Sequence, residues 1–431
     1  MSIPERKAPR NQTAAAVMHF FESARFASAL TLTIVGTAFA THALTRTVGW
    51  AGLIGILSAL VVLAVASFLA RWESIEWHGL LPISLLVFVG WCALSVFWSD
   101  YQWTTVASVL YQVAFAFLGV YIALVRDTIQ IVRSVGDVLR VLLGVSLALE
   151  VLSGLLIDLP IRFLGILGDL DSGGPIQGIF GTRNQLGLVS LIALVTFLVE
   201  WRTRSVLRIV AIPSVAGAAL CLLLTRSPVS IASLVIVGVA TLALYLLRRA
   251  PAEHRRYWQL GLLGAAFVVA VVTVLARTRI VSLLNAGSEF EVRYELWMRM
   301  TDTAALNPLE GWGWAGLWRR NVPPFVGIDF STGRSHATGL NGFLDVYLQL
   351  GLVGLLLFLV LVLLAFGRSW LLASNKRSAV YVWPALVLVG LLVTSLGESS
   401  ILVDAGWLLL VVCTVKAAQG MSWRLRYAAG R

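Results

Sequence analysis

The sequence predicts an all-α protein that crosses a membrane about twelve times, and the composition, the length of its apolar runs and the placement of its charges predict this fold. Hydrophobic residues make up 58% of the chain and charged residues only 13%, with a mean hydropathy of +0.86. Soluble globular domains have a far more polar composition. The apolar runs are continuous rather than alternating, which excludes a membrane β-barrel.

Apolar runs of about 20 residues, enough for a helix to cross a hydrocarbon core of about 30 Å, recur along the whole chain. We place the predicted spans at residues 26–42, 49–70, 79–98, 104–125, 137–158, 184–201, 206–224, 229–248, 259–276, 341–367, 380–396 and 399–417. The predicted organisation is a cytoplasmic tail (1–24), spans one to nine (25–276), an extracytoplasmic loop that caps the site (277–340), spans ten to twelve (341–417) and a second cytoplasmic tail (418–431).

The basic residues predict the orientation of these spans. Lys and Arg outnumber Asp and Glu by 33 to 22, and most of them fall in the loops that become cytoplasmic if the N-terminus is inside. The polar N-terminal segment carries Arg6, Lys7 and Arg10 and shows no pattern of a cleaved signal peptide. We therefore expect a multi-pass protein of the cytoplasmic membrane with both termini inside. Its net charge of +11 reflects topology and the anionic inner leaflet, and not nucleic-acid binding.

Three arginines fall on the sparsely charged outer side, next to predicted helix ends. Arg183 precedes span six, Arg226 lies between spans seven and eight, and Arg293 lies in the long loop. Arginine offers a planar, permanently charged fork of donors that suits phosphate oxygens, so these residues are candidates for holding a lipid pyrophosphate. Each could instead be a snorkelling charge at the membrane interface.

His336 and His42 are the two histidines predicted to lie outside. Imidazole titrates near neutral pH and accepts a proton from a hydroxyl, which makes His336 the candidate general base. A loop histidine that only forms a hydrogen bond is the competing interpretation. Gly339 and Asn341 follow, and an asparagine directly before a long apolar run predicts a helix N-cap that fixes the backbone there.

Several carboxylates also need an explanation. Glu398 starts the last outer turn and is a candidate for substrate binding, whereas Glu150 lies inside span five, where a carboxylate is costly and so is a functional candidate. Asp169 and Asp171 have a spacing that could hold a divalent metal, but an acidic turn beside two glycines is the simpler interpretation. A proton-coupled transporter usually has several intramembrane carboxylates, which this sequence lacks.

Five segments together resemble the O-antigen ligase and polymerase superfamily, and especially its exopolysaccharide polymerase branch. They are "LSVFWSD" (94–100), "GIFGTRNQLG" (178–187), "VRYELWMRM" (292–300), "NPLEGWGWAGLW" (307–318) and "LNGFLDVYLQLGLVGL" (340–355), and the resemblance extends to "GESSIL" (397–402). It implies a GT-C-like membrane fold and a glycosyltransferase that uses undecaprenyl-pyrophosphate-linked glycans, without a metal or other cofactor. The other implied partners are membrane lipids, a flippase and a chain-length regulator.

The resemblance also implies roles for individual residues. Arg183 and Asn184 match a basic residue followed by asparagine, and Arg293, Glu295 and Trp297 match an arginine followed by an aromatic "elW" segment. His336 and Asn341 match a histidine and an asparagine that the family often places side by side, whereas here the two are separated. Arg226 departs as well, since it precedes Ser227 instead of following it. The expected site is thus His336, Arg183 and Arg293 as catalytic residues, with Arg226, Asn184, Glu295, Trp297, Asn341 and Glu398 binding substrate.

Three functions compete for this sequence. The first is an enzyme that polymerises undecaprenyl-pyrophosphate-linked repeat units on the outer face of the cytoplasmic membrane. The second is a ligase that transfers the finished glycan to another acceptor, with the same chemistry and a different acceptor pocket. The third is a transporter of polysaccharide or lipid-linked glycan, which should place polar groups along a path at mid-membrane depth. Here they gather at the outer helix ends, which favours a transferase.

Overall fold

A computed structural model describes residues 12–72, 82–171, 173–251, 253–276, 279 and 287–420. Over these residues the chain is helical and forms no β-strand, which confirms the predicted all-α class. Most of the predicted cytoplasmic tails, at 1–11 and 421–431, lies outside the described residues, as does the greater part of 277–286.

The helices follow the order of the apolar runs. In chain order they are α1 (Gln12–Glu22), α2 (Ala24–Phe39), α3 (Thr41–Thr47), α4 (Gly49–Ala70), α5 (Ile83–Leu94), α6 (Gln102–Val125), α7 (Thr128–Val151), α8 (Arg183–Thr203), α9 (Arg208–Leu224), α10 (Pro228–Arg249), α11 (Arg255–Leu275), α12 (Gly287–Ala304), α13 (Phe325–Thr332), α14 (Gly342–Asn375), α15 (Val382–Thr394) and α16 (Asp404–Gly420). Each predicted span overlaps one of these helices.

Not every helix of the described residues is long and apolar enough to cross a membrane. Among the described residues, six helices are long and apolar enough to cross a membrane, and a seventh span is formed if α2 and α3, which meet at an angle of 76°, are counted together. Helices α5, α9 and α15 are apolar but shorter, with 12, 17 and 13 residues. The architecture fits a polytopic membrane protein, and the count of twelve crossings stays a prediction.

The interior of the bundle is built around α8 and α16, which bury most of their side chains. Trp383 on α15 donates from Nε1 to Thr196 Oγ1 on α8 at 2.9 Å. Trp407 on α16 donates from Nε1 to the backbone carbonyl of Gln112 on α6 at 3.0 Å. These bonds satisfy polar groups inside an otherwise apolar core. Many apolar side chains of α4, α9 and α10 are exposed instead, as expected for helices that face lipid.

Residues 287–340 form a cap over the ends at which α8, α10, α14 and α16 begin, and we call this the cap end of the bundle. The cap has its own small core, in which Leu296, Met300, Trp318 and Phe325 pack against Leu348 of α14. The loop predicted at 277–340 is therefore ordered over its described part, where it includes the 18-residue helix α12 and the 8-residue helix α13.

Helix α14 is interrupted at Gly351, whose φ of 66° and ψ of −168° are non-helical. The segment 307–314 docks at this break: Leu352 N–H donates to the Pro308 carbonyl at 2.9 Å, and Val353 N–H donates to the Leu309 carbonyl at 3.2 Å. A Cβ at position 351 would lie 2.1 Å from the Leu309 oxygen. Only glycine fits there, and the break anchors the cap to the bundle.

Candidate functional site

A cavity of about 900 Å³ lies at the cap end, between α8, α12 and the segment that links α15 to α16. Its lining residues are Leu167, Pro175, Gln177, Thr182, Arg183, Asn184, Glu291, Val292, Arg293, Glu295, Arg334, Leu340 and Glu398. The structure thus brings together five of the nine predicted site residues: Arg183, Asn184, Arg293, Glu295 and Glu398. The volume is in the range of pockets that bind small organic ligands.

Glu398 is the centre of the polar network in this cavity. Its Oε1 accepts hydrogen bonds from Asn184 Nδ2 at 2.6 Å and from Arg293 Nη2 at 3.1 Å. Arg293 also donates from Nε to the Gly397 carbonyl at 3.3 Å, and Ser227 Oγ donates to Asn184 Oδ1 at 2.7 Å. One carboxylate therefore connects the start of α8, the start of α10 and the cap helix α12.

The ion pair between Glu398 and Arg293 is largely withdrawn from solvent, with side-chain exposures of 14% and 11%. Burial raises the pKa of Glu398 above its ordinary value, and the charge of Arg293 together with the bonds from Asn184 and Arg293 opposes this only in part. In a buried pair of this kind, a charge that loses its partner is left without compensation. The two side chains are therefore held together in one geometry.

Arg183 enters the cavity from the first turn of α8. Thr182 is the N-cap of this helix, and its side chain accepts a hydrogen bond from Gln185 N–H at 3.2 Å. Gln185 in turn accepts from Ser400 Oγ at 2.7 Å, which ties this turn to the segment that carries Glu398. The start of α8 also presents the positive end of its helix dipole, so Arg183 and the dipole both favour an anion.

The loop before Arg183 rests on α7, and this contact explains Glu150. Glu150 is buried and its Oε1 accepts from the backbone N–H of Gln177 at 2.8 Å and of Gly178 at 2.7 Å. Ser146, one turn earlier on α7, accepts from Ile179 N–H at 3.3 Å. Glu150 therefore anchors the loop, and it is not itself one of the residues that line the cavity.

The glycines of this loop allow it to pack closely. A Cβ at Gly178 would lie 2.6 Å from the Ser146 Cβ, and one at Gly181 would lie 2.3 Å from the imidazole of His42. Both glycines have positive φ, 56° and 79°, which strains other residues. His42 is thus packed beneath the loop, and the "GIFG" motif reflects close packing that places Arg183.

His336 lies in the cap next to Asp329 of α13. Its backbone N–H donates to Asp329 Oδ1 at 2.9 Å and its Nδ1 lies 3.1 Å from the same oxygen. The imidazole is 7% exposed and is not part of the cavity lining, although Arg334 and Leu340 of the same loop are. An aspartate on Nδ1 orients the ring and leaves Nε2 as the nitrogen that could exchange a proton.

The three other predicted residues also lie outside the lining. Asn341 caps α14, with Oδ1 accepting from Phe343 N–H at 3.0 Å and Leu344 N–H at 3.2 Å. Trp297 donates from Nε1 to the Gly339 carbonyl at 3.1 Å. Arg226 is exposed and its guanidinium approaches Gly173, in the turn that follows Asp169 and Asp171. Asn341 and Trp297 shape the loop around His336, and Arg226 is directed to a different loop.

Sequence reasoning missed two groups of residues. Arg334, Gln177 and Glu291 line the cavity but have no distinctive motif. Asp345, which is fully buried on α14, accepts from Gly339 N–H at 3.0 Å, Trp318 Nε1 at 2.8 Å and Gln349 Nε2 at 2.7 Å. A carboxylate in the first turn of an apolar helix was the signal that could have identified it.

The fold and this cavity define a polytopic membrane protein with a charged pocket at one end of its helix bundle, closed by a helical cap. Residues 213–359 match the family model described as O-antigen ligase. This match confirms the resemblance to the O-antigen ligase and polymerase superfamily, and it supports a membrane glycan ligase or polymerase in general. No curated protein matches the chain.

Proposed function

We propose that this protein is a glycosyltransferase that polymerises undecaprenyl-pyrophosphate-linked repeat units at the extracytoplasmic face of the cytoplasmic membrane. The observation that carries the proposal is the cavity at the cap end, which Arg183, Arg293 and Arg334 line together with Glu398, the partner of Arg293. A lipid diphosphate needs this type of lining, since its oxygens accept several hydrogen bonds from arginine.

The leaving group is the first chemical problem, and the arginines address it. As the bond between the anomeric carbon and the diphosphate oxygen breaks, its electron pair and negative charge move to the diphosphate. Arg183, Arg334 and the dipole of α8 stabilise that charge, and no separate acid is required. Arg293, held by Glu398, adds a donor whose position is fixed before substrate binds.

The acceptor hydroxyl is the second chemical problem, and His336 is the proposed base. The hydroxyl oxygen attacks the anomeric carbon from the side opposite the diphosphate, and its proton passes to Nε2 of His336, which Asp329 orients through Nδ1. A single displacement of this type inverts the anomeric centre and uses no metal ion. Because His336 is outside the cavity lining, the loop that carries Arg334 and Leu340 must bring it to the acceptor.

A reconstituted assay tests this function. Purified protein is mixed with a synthetic undecaprenyl-pyrophosphate oligosaccharide in the presence of excess chelator, and the products are separated on a gel. We expect a ladder of lipid-linked polymers that persists with chelator. Transfer only after a different acceptor is added would identify a ligase instead. If neither condition gives transfer, a flux assay in proteoliposomes tests the transporter alternative.

A further inference from the structure

The cavity at the cap end has one apolar side that reaches the protein surface. Of the four apolar residues in its lining, Leu167 is 50% exposed, whereas Pro175, Val292 and Leu340 are partly buried. On the cap side the lining is charged instead, with Glu291, Arg293, Glu295 and Arg334. Leu167 therefore belongs both to the charged cavity and to the outer surface of the protein.

Leu167 is also the last residue of a strongly apolar surface segment, residues 155–167, which we call the apolar loop. Six of its large apolar side chains are each at least half exposed: Leu155, Leu156, Ile157, Leu159, Phe163 and Leu167. So many exposed apolar side chains in one short segment are typical of a surface that contacts a lipid or another protein and not water.

The position of the apolar loop along α7 indicates which of these it contacts. Asp137 near the start of α7 has a side chain that is 59% exposed, and Asp158 at the start of the loop is exposed as well. The two lie about 30 Å apart at the rise of a helix, which equals the thickness of a hydrocarbon core. The exposed residues between them are apolar or glycine: Val141, Gly144, Val145, Ala148, Leu152, Leu155, Leu156 and Ile157. Asp158 thus marks the edge of the hydrocarbon at the cap end.

The backbone of the apolar loop is suited to this position, because many of its polar groups are paired within the segment. Leu159 N–H donates to the Ser153 carbonyl at 3.0 Å, and Ser153 Oγ donates to the Leu159 carbonyl at 2.6 Å. Leu164 and Ile166 both donate to the Ile161 carbonyl, at 3.1 and 3.3 Å. Backbone groups that are paired in this way can lie next to hydrocarbon at a lower cost than free ones.

We propose that the apolar loop lies in the bilayer and contacts the hydrocarbon chain of the lipid diphosphate, which leaves the cavity past Leu167. The diphosphate is covalently joined to its chain, so the chain must pass from the charged cavity to the hydrocarbon. On the cap side it would cross the carboxylates of Glu291 and Glu295, whereas beyond Leu167 it meets apolar side chains as far as the bilayer. This rests on the proposed function, since the lipid diphosphate is taken as the ligand of the cavity.

Photolabelling of the full chain in nanodiscs tests the proposal. Undecaprenyl diphosphate and undecaprenol each carry a diazirine in the isoprene units nearest the head, and they differ only in the diphosphate. We expect the diphosphate probe to label the apolar loop about tenfold more than undecaprenol does, because a bound headgroup raises the local concentration of its chain. Peptides of α10, where Val235 and Val239 are exposed, should be labelled equally by both probes.

Two exposed leucines of the apolar loop provide a matched pair of variants. Leu167 lines the cavity, whereas Leu159 is outside the lining. Leu167→Asn should lower the diphosphate-dependent labelling about fivefold, because the chain loses an apolar contact where it leaves the cavity. Leu159→Asn should leave this labelling close to that of the wild type.

Other outcomes overturn the proposal. If the diphosphate probe labels other peptides more than undecaprenol does, but not the apolar loop, the chain leaves the cavity elsewhere and the proposed function stands alone. If it exceeds undecaprenol on no peptide, the protein does not bind a lipid diphosphate and both proposals fail. An equal loss in Leu167→Asn and Leu159→Asn would contradict the exit at Leu167. If Leu167→Asn fails to elute as a folded protein in size-exclusion chromatography, the two probes on the wild type decide.

Discussion

Asn184 donates a 2.6 Å hydrogen bond to Glu398, a residue 214 positions further along the chain. The same carboxylate oxygen accepts from Arg293 at 3.1 Å. The amide orients the carboxylate and the carboxylate orients the guanidinium, so a residue at the start of α8 determines where a cap residue points. The cavity at the cap end is therefore organised by contacts between distant parts of the sequence.

The first prediction concerns this relationship and its dependence on pH. Since the pKa of Glu398 is raised by burial, the carboxylate takes up a proton as pH falls, at a higher pH than the value of about 4.3 for an ordinary glutamate. Protonation removes the ion pair with Arg293. As the pH is lowered, transfer activity should therefore begin to decline at a pH above the ordinary glutamate pKa. The pH profile of kcat/KM measures this decline. In Glu398→Gln the activity should be lower throughout and this acidic limb should be missing; an unchanged limb would assign it to another group.

The second prediction concerns the arginines. Arg183→Ala and Arg293→Ala should each lower transfer by about 10²- to 10³-fold, since each removes stabilisation of the developing charge on the diphosphate. Arg299, also on α12, is exposed and outside the lining, and Arg299→Ala serves as the matched control. Rates from gel-resolved products provide the measurement. Similar tolerance of all three substitutions would remove the diphosphate clamp from the mechanism.

The third prediction concerns His336 and Asp329. Loss of the base in His336→Ala should reduce glycan transfer by about 10²- to 10⁴-fold without loss of folded protein. Asp329→Asn should reduce it less, since the ring nitrogen remains but its orientation is no longer fixed by a charged partner. His254 is exposed at the start of α11, so His254→Ala is the control. Polymer of wild-type length from His336→Ala would exclude this histidine as the base.

The fourth prediction concerns Glu150. Glu150→Gln keeps a carbonyl oxygen that can accept from Gln177 and Gly178, whereas Glu150→Leu removes the acceptor of the buried Gly178 N–H and of the partly buried Gln177 N–H. We expect activity close to wild type for the glutamine variant and a strong reduction for the leucine variant. The fall in kcat is compared with the change in KM in the same assay, and this comparison shows whether Arg183 is displaced. If the glutamine variant is as inactive as the leucine variant, the charge itself is needed and Glu150 does more than anchor the loop.

The fifth prediction concerns the break in α14. Gly351→Ala combines a positive φ with a clash against the Leu309 carbonyl, and backbone strain of this kind costs about 1–3 kcal/mol. Thermal unfolding in detergent should therefore occur at a clearly lower temperature. Gly367, in the same helix, has open space around its Cβ position, so Gly367→Ala should leave the transition unchanged or raise it slightly. Equal transitions for the two variants would contradict the role assigned to the break.

The sequence predicted the helices well because membrane helices have a strong local signal. Apolar runs of sufficient length occur independently of the rest of the fold, and the N-cap at Asn341 needs only its own first turn. The short helices α5, α9 and α15 show the limit of this signal, since apolar composition alone does not tell whether a helix crosses the bilayer.

The site was predicted less completely because its geometry depends on tertiary contacts. Arg183, Asn184 and Arg293 were identified from motifs, yet the sequence gives no indication that Glu398 connects them. Glu150 was a functional candidate because burying a carboxylate in a membrane costs free energy. The structure shows that two backbone N–H groups of a loop offset this cost by donating to it. Arg226 departs from the family pattern in sequence, but only the folded chain shows that it lies outside the cavity lining that Arg183 joins.

The Glu398 network also has a consequence for how the protein matures. Its members lie at positions 184, 227, 293 and 398, so the carboxylate is the last of them to leave the ribosome. Until α15 and α16 insert, Asn184 and Arg293 have no common acceptor, and the pocket is incomplete. The protein should therefore remain unable to bind a lipid diphosphate throughout most of its synthesis. Any nascent chain that stops before α15 and α16 should be inactive.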